Sequence, residues 1–109
     1  MRVMEELENL SKKMNEDPKE IEGVEKTYQF DITGEEEGVF QIQFTDGQVH
    51  YQKGKLHAPD CTLKMKDNNF LKLVQGELNP ATAFMTGKLK IEGGMGNALK
   101  LQKILETYN

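Results

Sequence analysis

The sequence predicts an α+β domain with a mostly antiparallel sheet and helices packed on one face. Three observations carry that expectation. Five stretches place apolar residues at every second position, the spacing of a half-buried strand. The first of them follow one another through tight-turn signals, as hairpin-linked strands do. Stretches with helical spacing fall at the two ends and in one insertion, which groups the helices on a single side of the sheet.

Each element has its own warrant. Val3, Leu7, Leu10 and Met14 lie on one face of an N-terminal helix, and Asp17-Pro18 ends or restarts it. Tyr28, Phe30 and Ile32 share one face of a first strand, with Gln29 and Asp31 on the other. Glu35 to Glu37 make an acidic turn bounded by Gly34 and Gly38, read as a solvated surface. Phe40, Ile42 and Phe44 alternate with Gln41 and Gln43 in a second strand. Asp46-Gly47 then predicts a tight hairpin, and Val49 and Tyr51 continue on a third strand. Beyond a loop containing Pro59, Cys61, Leu63 and Met65 define a fourth. Asp67 is the expected cap of a short helix carrying Phe70, Leu71, Leu73 and Val74, closed at Gly76. Asn79-Pro80 starts another, Ala81 to Met85, closed at Gly87. Leu89 and Ile91 point inward from a fifth strand. The last helix carries Met95, Ala98, Leu99, Leu101, Ile104 and Leu105 on a broad apolar face.

The chain has 109 residues, enough for one compact domain with a modest core, so 1–109 is read as a single unit. Only 37% of the residues are hydrophobic, so these must concentrate on inward faces. A net charge of -4 argues against nucleic acid, whose binders carry a clustered basic surplus, and limits membrane contact to a transient one. No stretch is long and apolar enough to span a bilayer, and the N-terminus lacks the apolar segment of a secretory signal. A single cysteine excludes an intrachain disulfide and fits a reducing cytoplasm.

Chemistry-bearing patterns are weak. Gly94-Met95-Gly96 matches only the first half of a dinucleotide fingerprint. Leu99 replaces its third small residue, and no βαβ unit follows. A tight strand-to-helix turn is the expected role of those glycines. His50, His57 and Cys61 lie near one another in sequence, but His50 alternates outward and Cys61 is in phase with Leu63 and Met65, so no metal is expected. Ser11 is the only serine and no triad context exists, so no catalytic residue is assigned and no enzyme activity is expected. What stands out is the apolar inventory. Phe30, Ile32, Phe40, Ile42 and Phe44 pave one sheet face. Phe70, Val74, Phe84, Met85, Met95, Leu99 and Ile104 are expected to face it from the helices. Most of these must be core, yet very short helices over a sheet can also leave a cavity, and adaptable Phe and Met suit an apolar ligand.

The run Pro59-Asp60-Cys61-Thr62-Leu63-Lys64-Met65, followed by Gly76-Glu77-Leu78-Asn79-Pro80, Ala83-Phe84 and Gly87-Lys88-Leu89-Lys90-Ile91 with Gly94-Met95-Gly96, resembles the sterol carrier protein type 2 family. The match is close from about Asp60 to Leu105 and rests on element order before that. The resemblance implies a five-stranded mixed sheet covered by helices, with a hydrophobic tunnel between them. It implies binding, and possible transfer, of fatty acid, acyl-CoA, phospholipid or sterol without chemical change and without a cofactor. It places Phe84 and Met85 in the tunnel wall and Met95, Leu99 and Ile104 near the ligand. The acidic balance and the ending Glu106-Thr107-Tyr108-Asn109 depart from basic, peroxisome-targeted animal members. An acidic copy standing alone, with no extension expected over the tunnel mouth, is similar to bacterial members. The competing expectation is an accessory domain with a packed interior that binds a protein partner. The resemblance leaves oligomeric state open.

Overall fold

In the computed structural model, residues 2–108 are described. Helix α1 (Arg2–Glu16) is followed by a 3-10 turn (Pro18–Ile21), then β1 (Lys26–Thr33), β2 (Gly38–Thr45) and β3 (Gln48–Lys53). After a crossover come β4 (Cys61–Lys66), α2 (Asp67–Val74), α3 (Pro80–Met85), β5 (Leu89–Glu92) and α4 (Met95–Thr107). The strands form one five-stranded sheet in the order β3-β2-β1-β4-β5.

Local sequence explains the first three strands. Asp46 and Gly47 both take positive φ, at 53° and 74°, and close the β2–β3 hairpin at the pair Thr45–Gln48. The β1–β2 pair is antiparallel with Phe30 opposite Phe40 and Tyr28 opposite Ile42. The mixed character comes from β4. It lies parallel to β1, with Tyr28, Phe30 and Ile32 beside Cys61, Leu63 and Met65, while β5 is antiparallel to β4.

To reach β1 from the β3 edge, the chain crosses the outer face of the sheet, and Gln41 holds the crossover there. Its side-chain oxygen accepts from the Leu56 and His57 amides, both at 3.2 Å, and from Gln52 Nε2 at 3.1 Å. Its Nε2 donates to the His57 carbonyl at 2.8 Å and to Gln29 Oε1 at 2.9 Å. Alternation puts Gln41 on the solvent side, yet it is fully buried. Burial of an amide is tolerable because every donor and acceptor finds a partner.

The opposite face carries the core. Tyr28, Phe30, Phe40, Ile42 and Phe44 pack against Val3, Leu7 and Met14 of α1 and against Phe70 and Leu73 of α2, in one continuous cluster. Phe30 meets Phe70 edge to face at 5.1 Å, and Tyr28 meets Phe44 likewise at 6.0 Å.

Two N-terminal expectations need correction. Asp67 is the first residue of α2 rather than its cap, because β4 runs straight into the helix and Lys66 takes the cap position. The Asp67 carboxylate instead accepts from the Asn68 amide at 2.7 Å and the Glu36 amide at 3.2 Å, tying α2 to the β1–β2 turn. The acidic turn is not wholly solvated either. Glu36 is half-buried, and its carboxylate accepts from the Val3 amide at 3.2 Å, satisfying one of the unpaired donors that open α1. Asn79 behaves as expected: its side-chain oxygen accepts from the Ala81 and Thr82 amides at 2.9 and 3.2 Å, with Pro80 first in the helix.

Candidate apolar site

The apolar residues singled out by sequence divide into two groups. Phe30, Ile32, Phe40, Ile42 and Phe44 from the sheet, Phe70 and Val74 from α2, and Ile104 from α4 are brought together in the core. Met95 is partly buried and packs on that core. Phe84, Met85 and Leu99 are not. They are 48%, 83% and 42% exposed.

Helix geometry explains the split. Helix α3 is six residues long, and its buried side consists of Pro80 and Ala83, three positions apart. Met85 lies off that stripe and Phe84 at its margin. On α4 the stripe that enters the core is Ala98, Leu101 and Leu105, joined by Ile104. Met95 and Leu99, one turn apart, flank it. Since α3 packs on both β5 and α4, the exposed apolar side chains sit on neighbouring helices. Leu56, 68% exposed in the crossover, is a further apolar surface residue. No periodic signal in the sequence marks it, because it belongs to no regular element.

The glycine-rich turn fixes where α4 starts. Gly93 and Gly94 have φ of 94° and 95°. A side chain on Gly93 would overlap the Asp60 carbonyl oxygen and come within 2.9 Å of Cys61 Cα, so β5 leaves the sheet against the backbone of β4. Asn97 Nδ2 donates to the Gly93 carbonyl at 2.8 Å, and the buried Tyr28 hydroxyl donates to the Asn97 carbonyl at 2.9 Å. Burial pushes the Tyr28 hydroxyl pKa well above its ordinary 10.0, with the neighbouring Cys61 and Asp60 adding to the rise. At the far end of α4, the Tyr108 hydroxyl donates to the Asp17 carbonyl at 2.6 Å and accepts from the Glu20 amide at 3.3 Å. Helix α4 is thereby tied at both ends, and tyrosine hydroxyls make both ties. Sequence periodicity sees the Tyr28 ring and not its hydroxyl, whose partner lies 69 positions away.

Cys61 is buried, and burial is the main reason its thiol pKa is pushed above 9.0; nearby Lys26 opposes the rise and Asp60 adds to it. A thiol held protonated is a poor nucleophile. Among the described residues, no group of three or more His, Cys, Asp or Glu is placed to hold a metal ion, and no helix is long and apolar enough to cross a membrane. Of the polar residues near the apolar set, Gln41 is committed to the crossover, and Gln102 donates to Glu106 at 3.0 Å. A shallow cleft of about 160 Å³ between the 3-10 turn and α4 is lined by Ile104 with Val24, Glu20, Lys100, Lys103 and Thr107.

A five-stranded mixed sheet with helices on one face and an apolar layer between defines an α+β domain of the sterol-carrier type, and comparison with known proteins agrees. The chain matches the SCP-2 sterol transfer family over residues 4–106. It is 34% identical over 108 residues to hydroxysteroid dehydrogenase-like protein 2 of Xenopus laevis, covering 98% of this chain and 25% of that protein. It superposes on the solution structure of sterol carrier protein domain 2 of Helicoverpa armigera with a TM-score of 0.80 and 32% identity, over 97% of this chain and 87% of that one. The fold is also shared with the Aedes aegypti sterol carrier protein 2 complex with the C16 fatty acid palmitate, at a TM-score of 0.71 and 17% identity, over 95% of this chain and 97% of that one. The chain therefore belongs to the SCP-2 sterol transfer family. It spans about a quarter, or less, of the length of the first curated relatives it matches.

Proposed function

We propose that the protein binds lipids, in the class of fatty acid, acyl-CoA, phospholipid or sterol, in an apolar space between its sheet and its helices. It carries them without transforming them, and residues 1–109 act as one lipid-binding domain. The observation that carries this reading is the family match over residues 4–106, set on a continuous apolar layer between sheet and helices, with Phe84, Met85 and Leu99 exposed on the adjoining α3 and α4. The palmitate complex of the Aedes aegypti protein, which shares the fold, supports it.

Access to the layer requires α3 to move. That helix is the α-helix least anchored by burial, holding only Pro80 and Ala83 inside. Its outward displacement joins Phe84 and Leu99 to the interior and opens the space above Phe30 and Phe70. The binding residues in this reading are the twelve apolar side chains named from the sequence, with Phe84, Met85 and Leu99 at the mouth. The buried thiol of Cys61, held protonated, suits a non-catalytic carrier, which we place in the cytoplasm.

Delipidated protein is expected to bind a fluorescent fatty acid saturably at one site. Absence of saturable binding at micromolar concentration overturns the reading. A second reading, an accessory domain that engages a protein partner through a packed interior, is favoured by the near-complete burial of Phe30, Phe40, Phe44 and Phe70. Leu99→Trp separates the two. A carrier loses fatty-acid affinity with little loss of stability, whereas a solid interior shows no lipid-dependent change in the new fluorophore.

A further inference from the structure

We infer that Asn15 locks the outer edge of β3 by filling the place of a sixth strand, and that a second copy of this chain is what the lock keeps out. Strand β3 ends the sheet, so one row of its backbone groups has no neighbouring strand. The Gly54 amide donates to the Val39 carbonyl at 2.7 Å, so in this stretch the even-numbered residues turn toward β2. Val49, Tyr51 and Lys53 therefore turn outward. Asn15, in the last turn of α1, meets the first of them. The Val49 amide donates to Asn15 Oδ1 at 2.9 Å, and Asn15 Nδ2 donates to the Val49 carbonyl at 3.0 Å. One side-chain amide thus makes both bonds that the facing residue of an antiparallel strand would make.

Beyond the lock the edge is open. Helix α1 runs from the β1–β2 turn, where Glu36 accepts from the Val3 amide, to the Val49 end of β3. A groove of about 480 Å³ lies there between helix and edge, lined by Ser11 and Lys12 on one side and Tyr51 on the other. Tyr51 is half-buried and Lys53 exposed. The strand itself identifies a second copy as the occupant. Laid antiparallel to itself about Tyr51, it sets Val49 opposite Lys53, His50 opposite Gln52 and Tyr51 opposite Tyr51, so no like charges face one another. Hydrogen-bonded pairs would then close at Val49–Lys53, Tyr51–Tyr51 and Lys53–Val49. The Asn15 side chains of the two copies occupy the outer two and leave only the central pair, too little to hold two chains together.

Sedimentation equilibrium of the purified chain is the test, since no other partner is then present. The native chain should be monomeric at submillimolar concentration. Asn15→Ala should dimerise, with association tighter by about a hundred-fold or more, because the two outer pairs become available. Asn15→Ser, too short to reach Val49, should do the same and stands in if the alanine variant folds poorly. Lys53→Pro in the Asn15→Ala chain removes the amide that faces the freed Val49, on an exposed residue where an outer strand accepts proline, and should restore the monomer. Asn79→Ala, which weakens α3 without touching β3, should stay monomeric. In the Asn15→Ala dimer the Tyr51 and Lys53 amides should exchange more slowly as concentration rises. Monomers in both Asn15 variants overturn the inference. So does a dimer that survives Lys53→Pro, or one that the native chain or Asn79→Ala forms equally well. Lipid plays no part in this readout, so the result stands whether or not the carrier reading does.

Discussion

Gly93 and Gly96 stand three positions apart and should respond to alanine in opposite ways. At Gly93 the left-handed backbone and the overlap with Asp60 act together, so Gly93→Ala should cost about 3 kcal/mol or more. Gly96 has no atom within 4 Å of an added methyl and lies inside α4, so Gly96→Ala should gain up to about 1 kcal/mol. Urea midpoints of the two variants check both signs. Tyr28 supplies a second residue-scale test. Its hydroxyl stays protonated in the folded protein above its ordinary pKa of 10.0, whereas the unfolded chain releases that proton near pH 10. Above that point the unfolded state binds fewer protons than the native one, so stability falls as pH rises, by up to about 1.4 kcal/mol per pH unit for this group. Tyr28→Phe should lose about 1 kcal/mol at neutral pH and show a flatter decline between pH 9 and 11 in urea titrations.

At the scale of elements, α3 is the shortest α-helix and the one with the fewest buried residues, and its cap is therefore measurable. Asn79→Ala should cost about 1 kcal/mol and speed hydrogen exchange of the α3 amides selectively. The sequence made this helix legible because cap, proline and closing glycine are local signals. The same holds for β2 and β3, where alternation and Asp46-Gly47 specify both strands and their register. Features made by distant partners were not legible. Alternation reads Gln41 as a solvated residue, and only the crossover bound to it makes it buried. Asp67 looks like a cap until β4 is seen to enter α2 without a loop. The twelve apolar residues were separable from the polar ones by pattern, but Phe84, Met85 and Leu99 could not be sorted from the core set. For Phe84 and Met85 that sorting depends on which side of the six-residue α3 meets β5, and for Leu99 on which stripe of α4 enters the core, and pattern leaves both open.

At the scale of the whole molecule, a carrier that binds only in its folded state is stabilised by its cargo. Palmitate at a hundred times its dissociation constant should add about 2.7 kcal/mol, read as a rise in melting temperature that grows with ligand concentration. A melting temperature indifferent to palmitate would speak for the packed-interior alternative. The topology also bears on how the chain assembles. The β1–β2 and β2–β3 pairs join neighbours in sequence, so each closes a short loop. The parallel β1–β4 pair joins Tyr28 to Cys61, and the Tyr28 hydroxyl finds its partner at Asn97 only when α4 arrives. Closing the longer loops costs more chain entropy. The meander of β1 to β3 is thus the natural platform, and β1 must present its second edge bare until β4 docks. During that interval an open strand rich in aromatic side chains faces solvent, and a second copy of the same chain could pair with it. The native place of β4 beside β1 is therefore also a guard against self-association while the protein is being made.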